Sequence, residues 1–192
     1  MVLPKKITNY NRTMEELEEF LLFAILVAGK KAHHTAHKLE RFLKSQNLFG
    51  VKDFSPFDYI AFLISGGCLE QILRQWRIGQ YHRVVGAFTE ILRFRGEKIK
   101  NVTAEELESI PGIGPKTARF FVLHSQPGKD CAVLDTHILS WMRELGIPAP
   151  KSTPTGKKYR ELEQKFLKLA REKNMSAAEL DLEIWKLRST KK

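Results

Sequence analysis

The chain has 192 residues, 43% of them hydrophobic and 10% aromatic, which is enough apolar material for a substantial core and excludes an intrinsically disordered chain. A formal charge of +10, from 32 Lys and Arg against 22 Asp and Glu, makes a polyanion the leading class of partner, with nucleic acid first. The bland alternative is a protein that is merely basic and soluble.

The length fits one compact domain or two small lobes sharing a cleft. Cys68 and Cys131 are far apart and in no metal-ligand spacing. They therefore point neither to a disulfide framework nor to a zinc or iron-sulfur site, and both read as small apolar residues. The N-terminal residues show no signal-peptide pattern, and no apolar run reaches membrane-spanning length. The expectation is a reducing, intracellular compartment.

Helix signals recur along the chain with little strand-type alternation, so an all-α protein is expected. Thr13 and Glu16 form a capping box ahead of Leu17, Phe20, Leu21 and Ala24, whose spacing predicts a helix ending near Gly29. A second helix is expected over residues 32–43. Ser55 and Pro56 start a short helix that runs to Gly66, and further helices are expected over 69–76 and 81–94. Thr103 and Glu106 repeat the capping box. A short helix to Ser109 then meets Pro111-Gly112-Ile113-Gly114-Pro115-Lys116, a glycine-rich hairpin with a new helix beginning at Pro115 or Lys116. Residues 126–130 read as a loop and Asp135 as the start of another helix, which ends near Gly146. Two amphipathic helices, over 159–173 and over 177–188 after a Ser176/Glu179 capping box, complete the chain.

In the hairpin, Gly112 and Gly114 allow close backbone approach to a partner, and the amides around Gly112, Ile113 and Gly114 can face a phosphate at a helix N-terminus. That arrangement suits gripping a DNA backbone without reading its sequence. On the pattern alone, an ordinary tight turn between helices is an equal alternative.

Lys116 follows the hairpin directly, and Asp135 comes nineteen positions later in Val133-Leu134-Asp135-Thr136-His137. In spacing and order, residues 110–121 and 132–139 resemble the hairpin and catalytic-aspartate segments of the helix-hairpin-helix DNA glycosylases. Residues 132–145, 158–163 and 179–188 further resemble the small second-type 8-oxoguanine glycosylase/lyases, which lack an iron-sulfur cluster. The resemblance implies two helical lobes around a DNA-binding cleft. The lobe containing the hairpin would span about 32–130, and the remaining helices, including both chain ends, would form the other.

The implied activity is bifunctional: excision of 8-oxoguanine from duplex DNA, then strand cleavage at the abasic site, with no cofactor and no metal. Cleaving an N-glycosidic bond builds positive charge on the sugar, which a carboxylate such as Asp135 stabilises. An unprotonated amine attacking C1′ gives a Schiff base and permits β-elimination; Lys116, at a helix N-terminus and against apolar neighbours, is placed to lose its proton. Taken singly, the alternatives are a solvated lysine and a helix-capping aspartate. By the same resemblance His137 lies near a DNA phosphate, and Trp185 with the terminal Lys192 helps recognise the base; Trp185 is equally readable as a core aromatic.

Two departures stand out. Where many family members carry Gln or Asn before the second helix, this chain has Gly29, and the following Lys30 and Lys31 are candidates for phosphate or base-edge contact or a solvated helix end. The tail after Trp185 is also slightly short. His33, His34 and His37 raise a metal reading, but no third ligand with suitable spacing accompanies them. The expected partner is duplex DNA containing a damaged base, engaged by a monomer, away from membranes, in the cytoplasm beside the nucleoid if the cell is prokaryotic. The competing readings are the same chemistry on another lesion and a non-catalytic helix-hairpin-helix nucleic-acid-binding module.

Overall fold

The computed structural model describes residues 2, 6–51 and 53–189. Among these, regular structure is helical and no strand occurs. Eleven α-helices are seen: α1 (Met14–Leu26), α2 (Ala32–Lys44), α3 (Pro56–Ser65), α4 (Leu69–Gln75), α5 (Tyr81–Ile91), α6 (Lys98–Asn101), α7 (Ala104–Glu108), α8 (Pro115–Ser125), α9 (Thr136–Glu144), α10 (Gly156–Glu172) and α11 (Ala177–Ser189).

The ends of the helices follow the caps. Both sides of the Thr13/Glu16 and Thr103/Glu106 capping boxes form, and Ser55 accepts the Asp58 amide with Pro56 in the first turn of α3. Two stretches differ from the sequence expectation. The helix over 81–94 is α-helical only to Ile91 and finishes as a 3-10 turn over Leu92–Phe94, and α2 runs on into a 3-10 turn over Ser45–Phe49. Such tightening at a helix end is a common way to satisfy the last carbonyls. The single-turn α6 carries too few residues to show a periodic pattern.

α1 is buried nearly all round, from Leu17 through Leu26, which marks it as a helix enclosed by others rather than one lying on a surface. Even its Glu18 is buried. Its Oε2 accepts the Phe57 amide at 3.0 Å, fastening the start of α3 to α1, and burial raises the pKa of this carboxyl.

Two apolar cores result. The first gathers buried side chains from Val2 to Val122, including Leu17 and Phe20 through Leu26 of α1; the second gathers those from Leu123 to Ile184. Phe120 and Cys131 pack against both, so α8 is the element that joins them. Val2 and Ile7 pack into the first core and Ile184 into the second, and α1 lies against α8.

Candidate active site

The hairpin is built around one glycine that has no substitute. Gly112 has φ of +92°, and a Cβ there would lie 2.7 Å from Arg83 Cγ and 3.2 Å from the Arg83 carbonyl oxygen. Arg83, on α5, donates to the Gly112 carbonyl at 2.7 Å and to the Ile25 carbonyl at 2.9 Å, so it ties the hairpin to the end of α1. Gly114 is different. Its backbone is extended, a conformation open to any residue, and a Cβ would meet no heavy atom within 4 Å.

The Ile113 side chain is 3% exposed and lies in the first core, and its amide donates to the Ile110 carbonyl at 3.0 Å within the turn. The exposed Gly112 and Gly114 flank it, and α8 begins at Pro115 with no side-chain cap from Gly114, leaving its first-turn donors to solvent or to a ligand.

Lys116 occupies that first turn, and Phe120 and His124 follow at four-residue steps on the same face of α8. The ammonium lies 4.8 Å from the centre of the Phe120 ring. Burial pushes the lysine below its ordinary pKa, and the charges of Asp135 and Asp181 partly oppose that shift.

Asp135 is held by the segment before it. The Tyr159 hydroxyl donates to the Ala132 carbonyl (2.6 Å) and accepts the Leu134 amide (3.1 Å). Glu163 Oε1 accepts the Ala132 amide (2.9 Å), and Thr153 donates to the Leu134 carbonyl (2.9 Å). Residues 132–134 are thereby fixed without a sheet. Asp135 then caps α9: Oδ1 accepts the amides of His137 (2.8 Å) and Ile138 (2.9 Å). Among the described residues no hydrogen bond engages Oδ2. Burial raises the Asp135 pKa, while the Ile138 amide and the Lys116 charge pull it back. The cap thus occupies Oδ1 and leaves Oδ2 free of it.

Of the other expected site residues, His137 is half-buried beside Asp135, and its charge acts on that carboxyl. Lys30 and Lys31 line a pocket of about 210 Å³ with Leu26, His34, Thr35, Lys38 and Ile78; neither Lys116 nor Asp135 borders it. The Lys30 ammonium donates to the Ile78 carbonyl (2.7 Å) and Lys38 to that of Arg77 (2.6 Å), so both lysines fasten a loop in which Arg77, Gly79 and Gln80 have positive φ. Trp185 is half-buried on α11 and, among the described residues, is not one of the side chains packed into either core. Lys192 lies outside the described residues. Among the described residues, no group of three or more His, Cys, Asp or Glu is placed to hold a metal ion, and no helix is long and apolar enough to cross a membrane.

The sequence reading passed over Asp181, Arg83 and the set of Arg119, Glu163 and Tyr159. Only Asp181 had a signal, as an acidic residue on the buried side of an amphipathic helix.

A family model described as 8-oxoguanine DNA glycosylase (Ogg-HhH) matches residues 4–175. The chain belongs to this family. It is 30% identical over 141 residues to an 8-oxoguanine DNA glycosylase/AP lyase of Aquifex aeolicus, covering 64% of this chain and 60% of that protein. To the protein of the same description from Saccharolobus solfataricus it is 31% identical over 105 residues, covering 54% of this chain and 50% of the relative. The matched part thus spans 60% or less of these curated relatives. The fold resembles that of the Methanocaldococcus jannaschii 8-oxoguanine glycosylase/lyase solved with a 15mer DNA containing 8-oxoguanine, with a TM-score of 0.68 and 27% identity over 97% of this chain and 87% of that one. Helical architecture, hairpin and family thus agree.

Proposed function

We propose that the protein is a bifunctional DNA glycosylase and abasic-site lyase that removes 8-oxoguanine from duplex DNA. The observation that carries this reading is Lys116, a desolvated amine at an uncapped helix start, with the charge of Asp135 acting on it and one oxygen of that carboxylate free of the α9 cap.

In the reaction, the lesion leaves the base stack, since its C1′ cannot be reached inside the duplex. The lone pair of Lys116 Nζ bonds to C1′ as the C1′–N bond to the base breaks, and the departing base takes a proton. Asp135 stabilises the positive charge that develops on the sugar. Ring opening and loss of the Nζ proton give a Schiff base; removal of a C2′ proton then expels the 3′ phosphate oxygen, and water releases the lysine. No step calls for a metal or an oxidant.

DNA is held through its backbone at Gly112, Gly114 and the start of α8, with His137, Lys30 and Lys31 as further phosphate contacts and the net charge of +10 supplying the long-range attraction. By the family resemblance, Trp185 and Lys192 are the candidates for recognising the base. The substrate rests on the descriptions of the relatives, and on the Methanocaldococcus protein having been solved with DNA containing that lesion.

A panel of duplexes carrying 8-oxoguanine, uracil, thymine glycol or hypoxanthine tests it. Strand cleavage at 8-oxoguanine is expected. Cleavage at another lesion with 8-oxoguanine untouched would overturn the substrate, and no cleavage of any, with DNA binding retained, would return the chain to a binding module.

A further inference from the structure

Lys116 is half-buried in the first turn of α8, and among the described residues no hydrogen bond or ion pair engages its ammonium. A desolvated cation left without such partners is costly, so the group that does lie against it matters. The nitrogen sits over the Phe120 ring, 4.8 Å from its centre, within the range of a cation–π contact. Phe120 is four residues further along the helix, so α8 itself sets the register of the pair.

The ring is held by its own neighbours. The rings of Phe20 and Phe23 on α1 pack on it at 5.6 and 6.4 Å, tilted by 49° and 46°, and the His124 ring meets it at 5.2 Å and 70°. His124 is fixed in turn: it is fully buried, with Nδ1 2.7 Å from the Thr8 hydroxyl and Nε2 3.2 Å from Asp181. Phe120 also packs against both apolar cores. Contacts from so many elements leave the ring little freedom to change rotamer.

We propose that Phe120 is a positioning residue for the lyase chemistry: its ring holds the Lys116 nitrogen whenever that nitrogen is cationic, first as the resting ammonium and later as the iminium of the Schiff base. The proposal rests on Lys116 being the nucleophile. Once Nζ is joined to C1′ and the sugar has opened, the positive charge of the Nζ–C1′ double bond stays on the same nitrogen. A C2′ proton then passes to water and its electron pair runs into the iminium. The resulting enamine expels the 3′ phosphate oxygen with the C3′–O bonding pair, which restores the cation on nitrogen. A ring face attracts a cation but takes no proton and forms no bond, so it can serve before and after Nζ reacts. A carboxylate hydrogen-bonded to the ammonium would have to be parted from it first.

The charged and titratable groups around the amine are Asp135 and His137 at the start of α9, Asp181 on α11, His124 on α8, and Arg12, which lies over the Phe20 ring at 3.9 Å. α7 also packs on α8, but its Glu105 and Glu108 face Arg119. The charges of Asp135 and Asp181 favour the ammonium against burial, and the ring works in the same direction.

The test is borohydride trapping and strand cleavage on a duplex with a preformed abasic site, under single turnover across pH, so that base recognition plays no part. Phe120→Leu keeps an apolar side chain and removes the ring. Ammonium and iminium both lose a stabilising contact, so the acid limb should move to lower pH by about half a unit to one unit while the maximal cleavage rate falls about threefold to tenfold. Phe120→Tyr, which keeps the ring, should restore both. Loosened packing alone would admit water to the amine and move the limb to higher pH instead. Circular dichroism checks folding, and Phe120→Met replaces the leucine variant if that one is unfolded. A limb unmoved or moved to higher pH in the variant without the ring, or a tyrosine variant as impaired as that one, would overturn the proposal. Trapping that survives in Lys116→Gln would instead overturn the nucleophile assignment, and the proposal with it.

Discussion

Arg119 Nε donates to Glu163 Oε1 at 2.7 Å, and that same oxygen accepts the amide of Ala132, three residues before Asp135. Arg119 also reaches Glu108 at 2.9 Å and lies over the Tyr159 ring, whose hydroxyl holds Ala132 and Leu134. One buried guanidinium on α8 therefore links the helix carrying Lys116 to the segment carrying Asp135. Burial works to lower the Arg119 pKa, but Glu163 and Glu108 raise it by more, so the guanidinium stays charged. Arg119→Ala leaves Glu163 buried and unpaired, and is expected to cost about 3–5 kcal/mol of stability. Denaturant unfolding measures it; a loss under about 1 kcal/mol, typical of an exposed pair, would contradict the buried role.

The two hairpin glycines should behave differently on substitution. Gly112→Ala forces a Cβ against Arg83 in a left-handed backbone, so it should lower the melting temperature as well as DNA affinity. Gly114→Ala meets open space and an ordinary backbone, so stability should hold while affinity for duplex DNA falls, provided the phosphate approaches there. Thermal melts beside binding isotherms at two salt concentrations separate the cases. Unchanged affinity in Gly114→Ala would make the motif an ordinary turn.

Asp135→Asn keeps a good helix cap, because asparagine serves that position about as well as aspartate. The fold should persist. Excision should fall by about 10²–10³-fold, the range found when one preorganised electrostatic partner of a transition state is removed. Single-turnover rates with a circular dichroism control decide it, and a drop below about tenfold would remove Asp135 from the chemistry.

The pH dependence has a definite sign. Burial lowers the Lys116 pKa, so the reactive neutral amine is already present below the ordinary lysine value of about 10.4. Trapping on a preformed abasic site should rise with pH and reach its plateau below that value. A limb at or above the ordinary lysine value would contradict the desolvated environment.

Cys131 is held by desolvation as a thiol, its pKa pushed up to about 12. At roughly pH 8, where an ordinary cysteine is partly ionised, it should resist iodoacetamide in the folded protein and react once unfolded. Mass spectrometry of digests reads the outcome; rapid native labelling at Cys131 would contradict it.

Much of this was legible in the sequence because the signals were local. The capping boxes at Thr13 and Thr103, Pro56 after Ser55, and Asp135 ahead of an apolar stripe each act within one helical turn, and the structure uses them in that way. The hairpin was legible as a turn, but the separate needs of its glycines were not. Only the approach of Arg83, 29 residues away in the chain, makes Gly112 irreplaceable and leaves Gly114 open. The same holds for Asp181 and the Arg119–Glu163 pair. Their partners lie 57 and 44 residues distant, and no periodicity reports which carboxylate meets which base.

The most direct measurement of the central claim is borohydride trapping with a duplex containing 8-oxoguanine. Reduction of the Schiff base converts it to a stable amine, so the unaltered protein should give a covalent protein–DNA adduct. Lys116→Gln should give none while still binding the duplex, and peptide mapping should place the modified residue at Lys116. An adduct of undiminished yield in Lys116→Gln, or one mapped to another lysine, would contradict the account.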